Sequence, residues 1–150
     1  MSERMPGFGA PHLSQLNRPY FEAAGQGRLV IQQCDDCGTH RHLPIAICYQ
    51  CHSDRWHWDE VPGTGRVFTY TWVDRPLSPE LSRAGVYNVS VVELDGVNGI
   101  VRLLSNVFGV DKDTLHCDLP VQVAFDRIDD EIALPVFEPV ADREPAGVAS

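Results

Sequence analysis

Four cysteines are the residues whose type and spacing most clearly predict chemistry. They form two Cys-x2-Cys pairs with ten residues between them: Cys34, Cys37, Cys48 and Cys51. Each pair can fold into a knuckle that directs two sulfurs at one centre, and two knuckles supply the tetrahedral thiolate set of a structural zinc site. Four sulfurs leave no position for water or substrate, so we expect the metal to organise the fold. Iron of the rubredoxin kind would accept the same thiolates.

The remaining titratable residues do not form a convincing catalytic set. Four histidines surround the cysteines, and we interpret them as surface residues that donate to the ribbon backbone or face a partner: His40, His42, His52 and His57. Cys117 lies between His116 and Asp118, but adjacent side chains generally point apart, which disfavours a Cys–His nucleophile. Two pairs of aspartates, at 35–36 and 129–130, fall at expected turns, where Asp is favoured for backbone reasons.

A long connection at 75–85 carries Arg75 and Arg83. It joins two predicted strands in the region where five-stranded barrels commonly place ligands. This connection could therefore hold an anionic ligand, with Arg75 and Arg83 as contacts, or a loop of a partner protein. A solvated connection without a ligand explains the same residues equally well.

Composition narrows the class of protein. The chain has 150 residues, 43% of them hydrophobic, and a formal net charge of -9. This acidic balance disfavours generic nucleic-acid binding, since phosphate backbones are repelled. The sequence has no apolar run long enough for a transmembrane helix and no recognisable secretory signal, so we expect no membrane association. Cysteines spaced as metal ligands favour a reduced, cytoplasmic protein.

The elements that must position the cysteines follow from local patterns. Asn17 before Arg18-Pro19 predicts a short helix at 17–24, with Tyr20 and Phe21 on its apolar face. A strand at 29–33 leads into the first knuckle, where Gly38 permits a left-handed turn, and 56–58 alternates like an edge strand. From Gly63 onward, period-two patterns predict five further strands, at 66–74, 87–94, 100–104, 121–128 and 133–137.

These elements predict a mainly β protein in which a short helix and a rubredoxin-like zinc ribbon precede a five-stranded OB-fold barrel. A small β-sandwich is the competing architecture. The expected organisation has four parts: an N-terminal lead and short helix at 1–28, the ribbon at 29–62, the OB-fold at 63–140, and a flexible tail at 141–150.

From about Pro19 to Pro139, the chain resembles the acyl-CoA-associated proteins that fuse a rubredoxin-like zinc ribbon to an OB-fold. The resemblance is carried by the order of several segments: 27–29, 33–38, 48–53, Trp58, 63–67 and 134–137. Two positions depart from the family's pattern. Leu43-Pro44-Ile45 stands where two prolines and a basic residue are frequent, and Asp118 stands where a glycine is frequent.

The resemblance implies that the ribbon docks onto an enzyme and that the barrel lies beside an acyl-CoA channel. Similar proteins associate with thiolase-fold enzymes, which include thiolases, hydroxymethylglutaryl-CoA synthases and the retro-aldolases of steroid side-chain degradation. Others pair with hot-dog-fold enoyl-CoA hydratases. The partner would supply the catalytic groups. A CoA thioester would occupy the shared channel, with Arg75 and Arg83 as contacts for its phosphates. Four aromatic residues are candidates for a packed or partner-facing surface: Tyr20, Phe21, Trp56 and Trp58.

Overall fold

The structure, a computed structural model, describes residues 9–75 and 77–141, except for the side chain of Arg83. The expectations for the first eight residues and for the tail after residue 141 lie outside the described part. The described residues form one α-helix, α1, a 3-10 helix and eight strands. In chain order they are α1 Arg18–Gly25, β1 Val30–Cys34, β2 His40–Arg41, β3 Trp56–Glu60, β4 Thr64–Val73, the 3-10 helix Glu80–Ala84, β5 Tyr87–Leu94, β6 Arg102–Ser105, β7 Pro120–Arg127 and β8 Ala133–Pro139.

The ribbon is a three-stranded antiparallel sheet in the order β2-β1-β3. The strand predicted at 29–33 is confirmed as β1, and the edge strand predicted at 56–58 extends to Glu60 as β3. The two-residue strand β2 was not predicted, because a segment this short has no readable periodicity. Its pairing with β1 places the segment after the first knuckle beside the strand before it.

The five later strands form a curled sheet in the order β6-β5-β4-β7-β8. A parallel bridge between Val107 and Phe137 brings its two ends together. The architecture is that of an OB-fold, as the sequence predicted. The five predicted strands are all present, with ends shifted by up to two residues.

Asn88 closes the barrel where β6 ends. Its Nδ2 donates to the carbonyl oxygen of Val107 at 2.7 Å, and its Oδ1 accepts from the backbone N–H of Val107 at 2.9 Å. The side-chain amide thus replaces the backbone pairing of a neighbouring strand, and Ser90 Oγ also donates to Asn88 Oδ1. Because Asn88 is only 5% exposed, loss of this amide would leave buried backbone groups unpaired.

A β-bulge at Phe68 changes which side chains of β4 face the core. The register with β5 shifts between Val67 and Thr69. In an unbroken strand, Val67 would share a face with Thr69 and Thr71. Instead, the buried Val67 is followed by Tyr70 and Trp72 packing against the same core, while Phe68 is 47% exposed. One extra residue reverses the alternation that follows it.

Helix α1 packs through Tyr20, Ala23 and Ala24, which are buried. Asn17 occupies the N-cap position but makes no side-chain capping bond. Its amide instead accepts from the Ser14 backbone N–H and donates to the His12 carbonyl, so it orders the preceding segment.

The end of α1 lies against the turn between β7 and β8. A Cβ at Gly25 would lie 2.1 Å from the Glu131 carbonyl oxygen, so only glycine allows this approach. Helix, ribbon and barrel share one apolar core, which contains Tyr20 from α1, Ile31 from β1 and Phe137 from β8.

Candidate metal centre and the surfaces around it

The four predicted cysteines converge on one point. Their Sγ atoms all lie within 4.8 Å of one another. Cys34 and Cys51 are separated by 3.6 Å and Cys37 and Cys48 by 3.7 Å, measured between sulfurs. A tetrahedral ion with metal–sulfur bonds of about 2.3 Å requires sulfurs about 3.8 Å apart. The donor set therefore fits one tetrahedral metal ion with no open position.

The two knuckles use the same turn with different residues. Gly38 follows the first Cys-x2-Cys pair with φ +74°, and its N–H donates to the Cys34 carbonyl at 3.0 Å. His52 follows the second pair with φ +62°, and its N–H donates to the Cys48 carbonyl at 2.8 Å. The prediction for Gly38 is confirmed. His52, interpreted from the sequence as a surface residue, occupies the corresponding left-handed position of the second knuckle.

Backbone N–H groups inside the first knuckle favour the ligand form of its thiol. The Cys37 N–H is the main cause that lowers the pKa of Cys34, to about 6. A thiolate is the species that binds zinc or iron. The first knuckle therefore favours the thiolate form of Cys34.

Polar side chains link the first knuckle to the segment after the second. Asp36 accepts hydrogen bonds from the Ser53 hydroxyl and from Arg55, and these two contacts, in that order, lower its pKa. His57 contacts Asp35 in the same region. These contacts are exposed and their partners lie far apart in sequence, so spacing could not reveal them.

His40 differs from the surface role expected of it. It is 4% exposed, and its Nε2 lies 2.7 Å from Asp59 Oδ2. Its Nδ1 accepts from the backbone N–H of Asn98, in the β5–β6 loop of the barrel, at 2.8 Å. His40 therefore connects the ribbon to the barrel and has no role at the metal.

An apolar stripe runs along the ribbon between β2 and the second knuckle. Its side chains are Leu43, Ile45, Ile47 and Tyr49, which are 72%, 38%, 49% and 58% exposed. Alternate residues thus present large apolar groups to solvent over a single short segment. Monomers rarely expose contiguous apolar surface without a binding role.

The backbone beneath the stripe is held by a buried glutamine. Gln32 is 0% exposed; its Oε1 accepts from the Ile45 N–H at 3.0 Å, and its Nε2 donates to the Ile45 carbonyl at 2.9 Å. Arg41 donates to the same Gln32 oxygen and to the Ile45 carbonyl. These bonds fix the conformation in which the stripe is displayed.

A groove of about 470 Å³ opens beside Leu43. It lies where α1, the ribbon and the β6–β8 seam of the barrel meet. Tyr20 and Phe21 of α1 form one wall, His42 and Leu43 a second, and residues 104–106 with 134–136 a third.

The predicted anion contacts, Arg75 and Arg83, stay a prediction. Arg75 is exposed just after β4, and Arg83 lies in the 3-10 helix, with its side chain outside the described part. Cys117 is exposed, and the neighbouring His116 directs Nδ1 at the Cys117 carbonyl oxygen, 2.8 Å away. Asp118 adopts φ +67°, the conformation that a glycine would adopt there.

The four aromatic candidates lie mainly on packed surfaces. Tyr20 is buried, and Phe21 and Trp58 pack against the core. Trp56 and Trp58 make an edge-to-face contact with centroids 5.6 Å apart. Among the described residues, no helix is both long and apolar enough to cross a membrane.

Comparisons with known proteins agree with this architecture. The family model described as the rubredoxin-like zinc ribbon domain of ChsH2 matches residues 21–57. The model described as the C-terminal OB-fold domain of ChsH2 matches residues 58–126.

One curated relative is a probable enoyl-CoA hydratase alpha subunit from Thermomonospora curvata, 38% identical over 135 residues. The match covers 89% of this chain but 40% of the relative, so the chain spans about two fifths of that protein's length.

Two solved structures share the fold. The structure titled Ltp2-ChsH2(DUF35) aldolase matches with a TM-score of 0.74 and 38% identity, covering 87% of this chain and 98% of the other. A DUF35-family protein of unknown function from Sulfolobus solfataricus matches with a TM-score of 0.57 and 13% identity, covering 85% of this chain and 87% of the other. The second likeness concerns the fold alone.

Proposed function

The chain belongs to the ChsH2 family, which joins a rubredoxin-like zinc ribbon to an OB-fold, and we propose that it is a non-catalytic subunit of a thiolase-fold acyl-CoA enzyme. The observation that carries this proposal is the match to the Ltp2-ChsH2(DUF35) aldolase chain, which is covered over 98% of its length. The partner reaction in this proposal is a retro-aldol or thiolase cleavage of a bulky or steroid-derived CoA thioester.

The metal in this proposal is structural zinc. Four thiolates complete its coordination, so it holds the two knuckles together and offers no position to a substrate. The chain's contribution to catalysis is then positional: it docks onto the enzyme and forms part of the channel wall. The enzyme supplies the nucleophile and the acid–base groups.

The apolar stripe is the docking surface in this proposal. Its four side chains are exposed, while Gln32 fixes the backbone at its centre through both polar groups of Ile45. A surface already held in one conformation loses little entropy on binding, which favours association. Apolar and aromatic residues of this kind form the centres of protein interfaces.

We also propose that Arg75 and Arg83 contact the phosphates of CoA. Both residues lie on the β4–β5 connection of an OB-fold, an edge where such barrels commonly hold ligands. Their cationic side chains are suited to phosphate, and Arg75 is exposed. Substitution of either residue by Glu should raise the KM of the complex for the CoA thioester and leave assembly unchanged.

Co-expression with the thiolase-fold enzyme tests the proposal. We expect the two chains to purify as one complex, and we expect cleavage of the CoA thioester to depend on both. If the chains elute separately and the enzyme alone is fully active, the proposal is wrong. Turnover by the isolated chain, lost in Cys117→Ala, would instead indicate an independent enzyme.

The Thermomonospora curvata relative favours a second partner class. That protein is named a hydratase alpha subunit, and this chain matches 40% of it. Co-purification with an enoyl-CoA hydratase, and stimulation of water addition to an enoyl-CoA, would support this alternative. The aldolase-type partner is preferred because the aldolase chain is matched over almost its whole length.

A further inference from the structure

The β5–β6 loop contains the only Asn-Gly sequence of the chain, Asn98-Gly99. In such a pair the backbone nitrogen of the glycine can attack the side-chain carbonyl carbon of the asparagine, because glycine has no Cβ to hinder the approach. Both residues are exposed, so water reaches the reacting atoms. The loop therefore brings together the groups and the solvent that asparagine deamidation requires.

The attacking nitrogen of Gly99 is also free of competing contacts. Its N–H donates to no group among the described residues. The nitrogens that follow two other asparagines are occupied. The Arg18 N–H donates to the Ser14 carbonyl at 3.0 Å. The Val107 N–H donates to Asn88 Oδ1 at 2.9 Å. Asn88 itself lies in β5 and is buried.

The Asn98 amide holds this barrel loop against the first knuckle of the ribbon. Its Nδ2 donates to the Gly38 carbonyl oxygen at 3.0 Å. A Cβ at Gly38 would lie 3.4 Å from the same nitrogen, so the amide lies directly on the knuckle turn. The backbone N–H and carbonyl of Asn98 both pair with His40. One asparagine thus joins the ribbon to the barrel through its side chain and through its backbone.

We propose that Asn98 is a site of spontaneous deamidation, and that the reaction weakens the joint between the ribbon and the barrel. The Gly99 nitrogen forms a bond to Asn98 Cγ, the bond between Cγ and Nδ2 breaks, and Nδ2 leaves as ammonia with the proton of the attacking N–H. Water then opens the succinimide ring at either of its carbonyls, which gives aspartate or isoaspartate. The reaction consumes no other reactant.

Either product disturbs the contacts that Asn98 makes. An aspartate lacks the N–H donor and places a carboxylate oxygen against the Gly38 carbonyl oxygen, and two acceptors repel each other. An isoaspartate carries the backbone through Cβ and Cγ, so the carbonyl that accepts from His40 becomes a branch of the chain. The inference concerns this chain alone and does not depend on the proposed partner.

Incubation of the metal-loaded full chain at neutral pH, below its unfolding temperature, tests the site. Peptide mass spectrometry over time locates the mass gain of deamidation. We expect the gain at Asn98 to be at least about tenfold faster than at Asn106, because the nitrogen that follows Asn106 is hydrogen-bonded and belongs to a β-branched residue. Asn106 is thus a control within the same molecule. Equal rates at the two asparagines, or no gain at Asn98, would overturn the proposal.

Two variants at this exposed position test the effect on the joint. Asn98→Asp is the aspartate product, and Asn98→Ala removes the amide without adding a charge. We expect Asn98→Ala to unfold at a lower urea concentration than the wild type, and Asn98→Asp at a lower one still. Wild-type protein that has been incubated until Asn98 is converted should shift in the same direction. If Asn98→Asp unfolds at the same urea concentration as the wild type, deamidation does not weaken the joint and the proposal is wrong.

Discussion

His40 and Asn98 join the ribbon to the barrel through a pair of reciprocal hydrogen bonds. The Asn98 backbone N–H donates to His40 Nδ1 at 2.8 Å, and the His40 N–H donates to the Asn98 carbonyl at 3.0 Å. Since Nδ1 is an acceptor, the ring proton lies on Nε2 and is donated to Asp59. One imidazole therefore fixes the orientation of the metal-binding sheet against the OB-fold.

Removal of this imidazole should destabilise the protein. We expect His40→Ala to lower the free energy of unfolding by about 2 kcal/mol, because the Asn98 N–H loses its buried acceptor. Urea denaturation measures the change. His57→Ala is the control, since His57 is exposed and its pairing with Asp35 should contribute less than about 1 kcal/mol. Equal losses in the two variants would contradict this role for His40.

The metal site has a matched pair of cysteine variants. We expect about one zinc per chain in the wild type, and Cys48→Ser should lose the metal and unfold the ribbon. Cys117→Ser should retain full metal content, since Cys117 is exposed and lies outside the cluster. Elemental analysis and circular dichroism report the two effects. Full metal occupancy in Cys48→Ser would refute the four-thiolate site. One iron per chain in the wild type would show that the site binds iron, as in rubredoxin, and not zinc.

His42 should make stability depend on pH. Burial lowers its pKa from 6.5 to about 4, so the unfolded chain takes up a proton more readily than the folded protein. Proton uptake therefore favours unfolding as the pH falls from 6.5 towards 4. Between pH 7 and pH 5 this histidine should cost the folded state about 2 kcal/mol.

Urea denaturation of the wild type and His42→Gln at both pH values measures this cost. The variant should lose less stability on acidification, by about the same 2 kcal/mol. Carboxylates with lowered pKa, such as Asp36 and Asp129, also reduce stability in acid, but they are common to both proteins. If the wild type and His42→Gln lose equal stability between pH 7 and pH 5, burial does not lower the pKa of His42.

Substitutions in the apolar stripe should weaken assembly and spare the fold. Leu43→Asp and Ile45→Asp place charges where an apolar partner surface is expected, and each should weaken binding of the enzyme at least tenfold. Val86→Asp, at an exposed apolar residue outside the stripe, is the control. Co-purification and zinc content are measured together. Normal assembly of both stripe variants would place the docking surface elsewhere.

Asp118 offers a test of backbone strain. Because its φ is +67°, Asp118→Gly should stabilise the protein by up to about 1 kcal/mol, whereas Asp118→Ala should destabilise it. Thermal denaturation of the three proteins gives the order. Equal thermal stability of the three proteins would show that the left-handed conformation of Asp118 does not destabilise the fold.

The sequence predicted the features that depend on local pattern. Cysteine spacing identified the metal ligands, and period-two alternation identified the strands of the barrel, because both signals come from neighbouring residues. It did not predict the bulge at Phe68. The residues of β4 look like those of an ordinary strand in the sequence, and nothing in their pattern marks one residue as extra. Nor did it predict the His40–Asp59 pair, whose members are 19 residues apart and meet only when the sheet forms.

The groove beside α1 could not be predicted from the sequence either. Tyr20 was predicted to lie on an apolar helix face, and that prediction is correct. Its neighbour His42 comes from another element, and the seam between β6 and β8 exists only once the barrel closes. Cavities formed by three separate elements have no signature in any one of them.

The hydrogen bonds between the Gln32 side chain and the Ile45 backbone leave the side chains of the stripe free to vary. The loop that displays the stripe is held through its backbone by a side chain of β1, whereas its own side chains point outward. Its outward residues can therefore be exchanged without altering the metal ligands or the sheet. Changes at the four exposed residues of the stripe could therefore give the ribbon a different partner while its fold and its metal site stay the same.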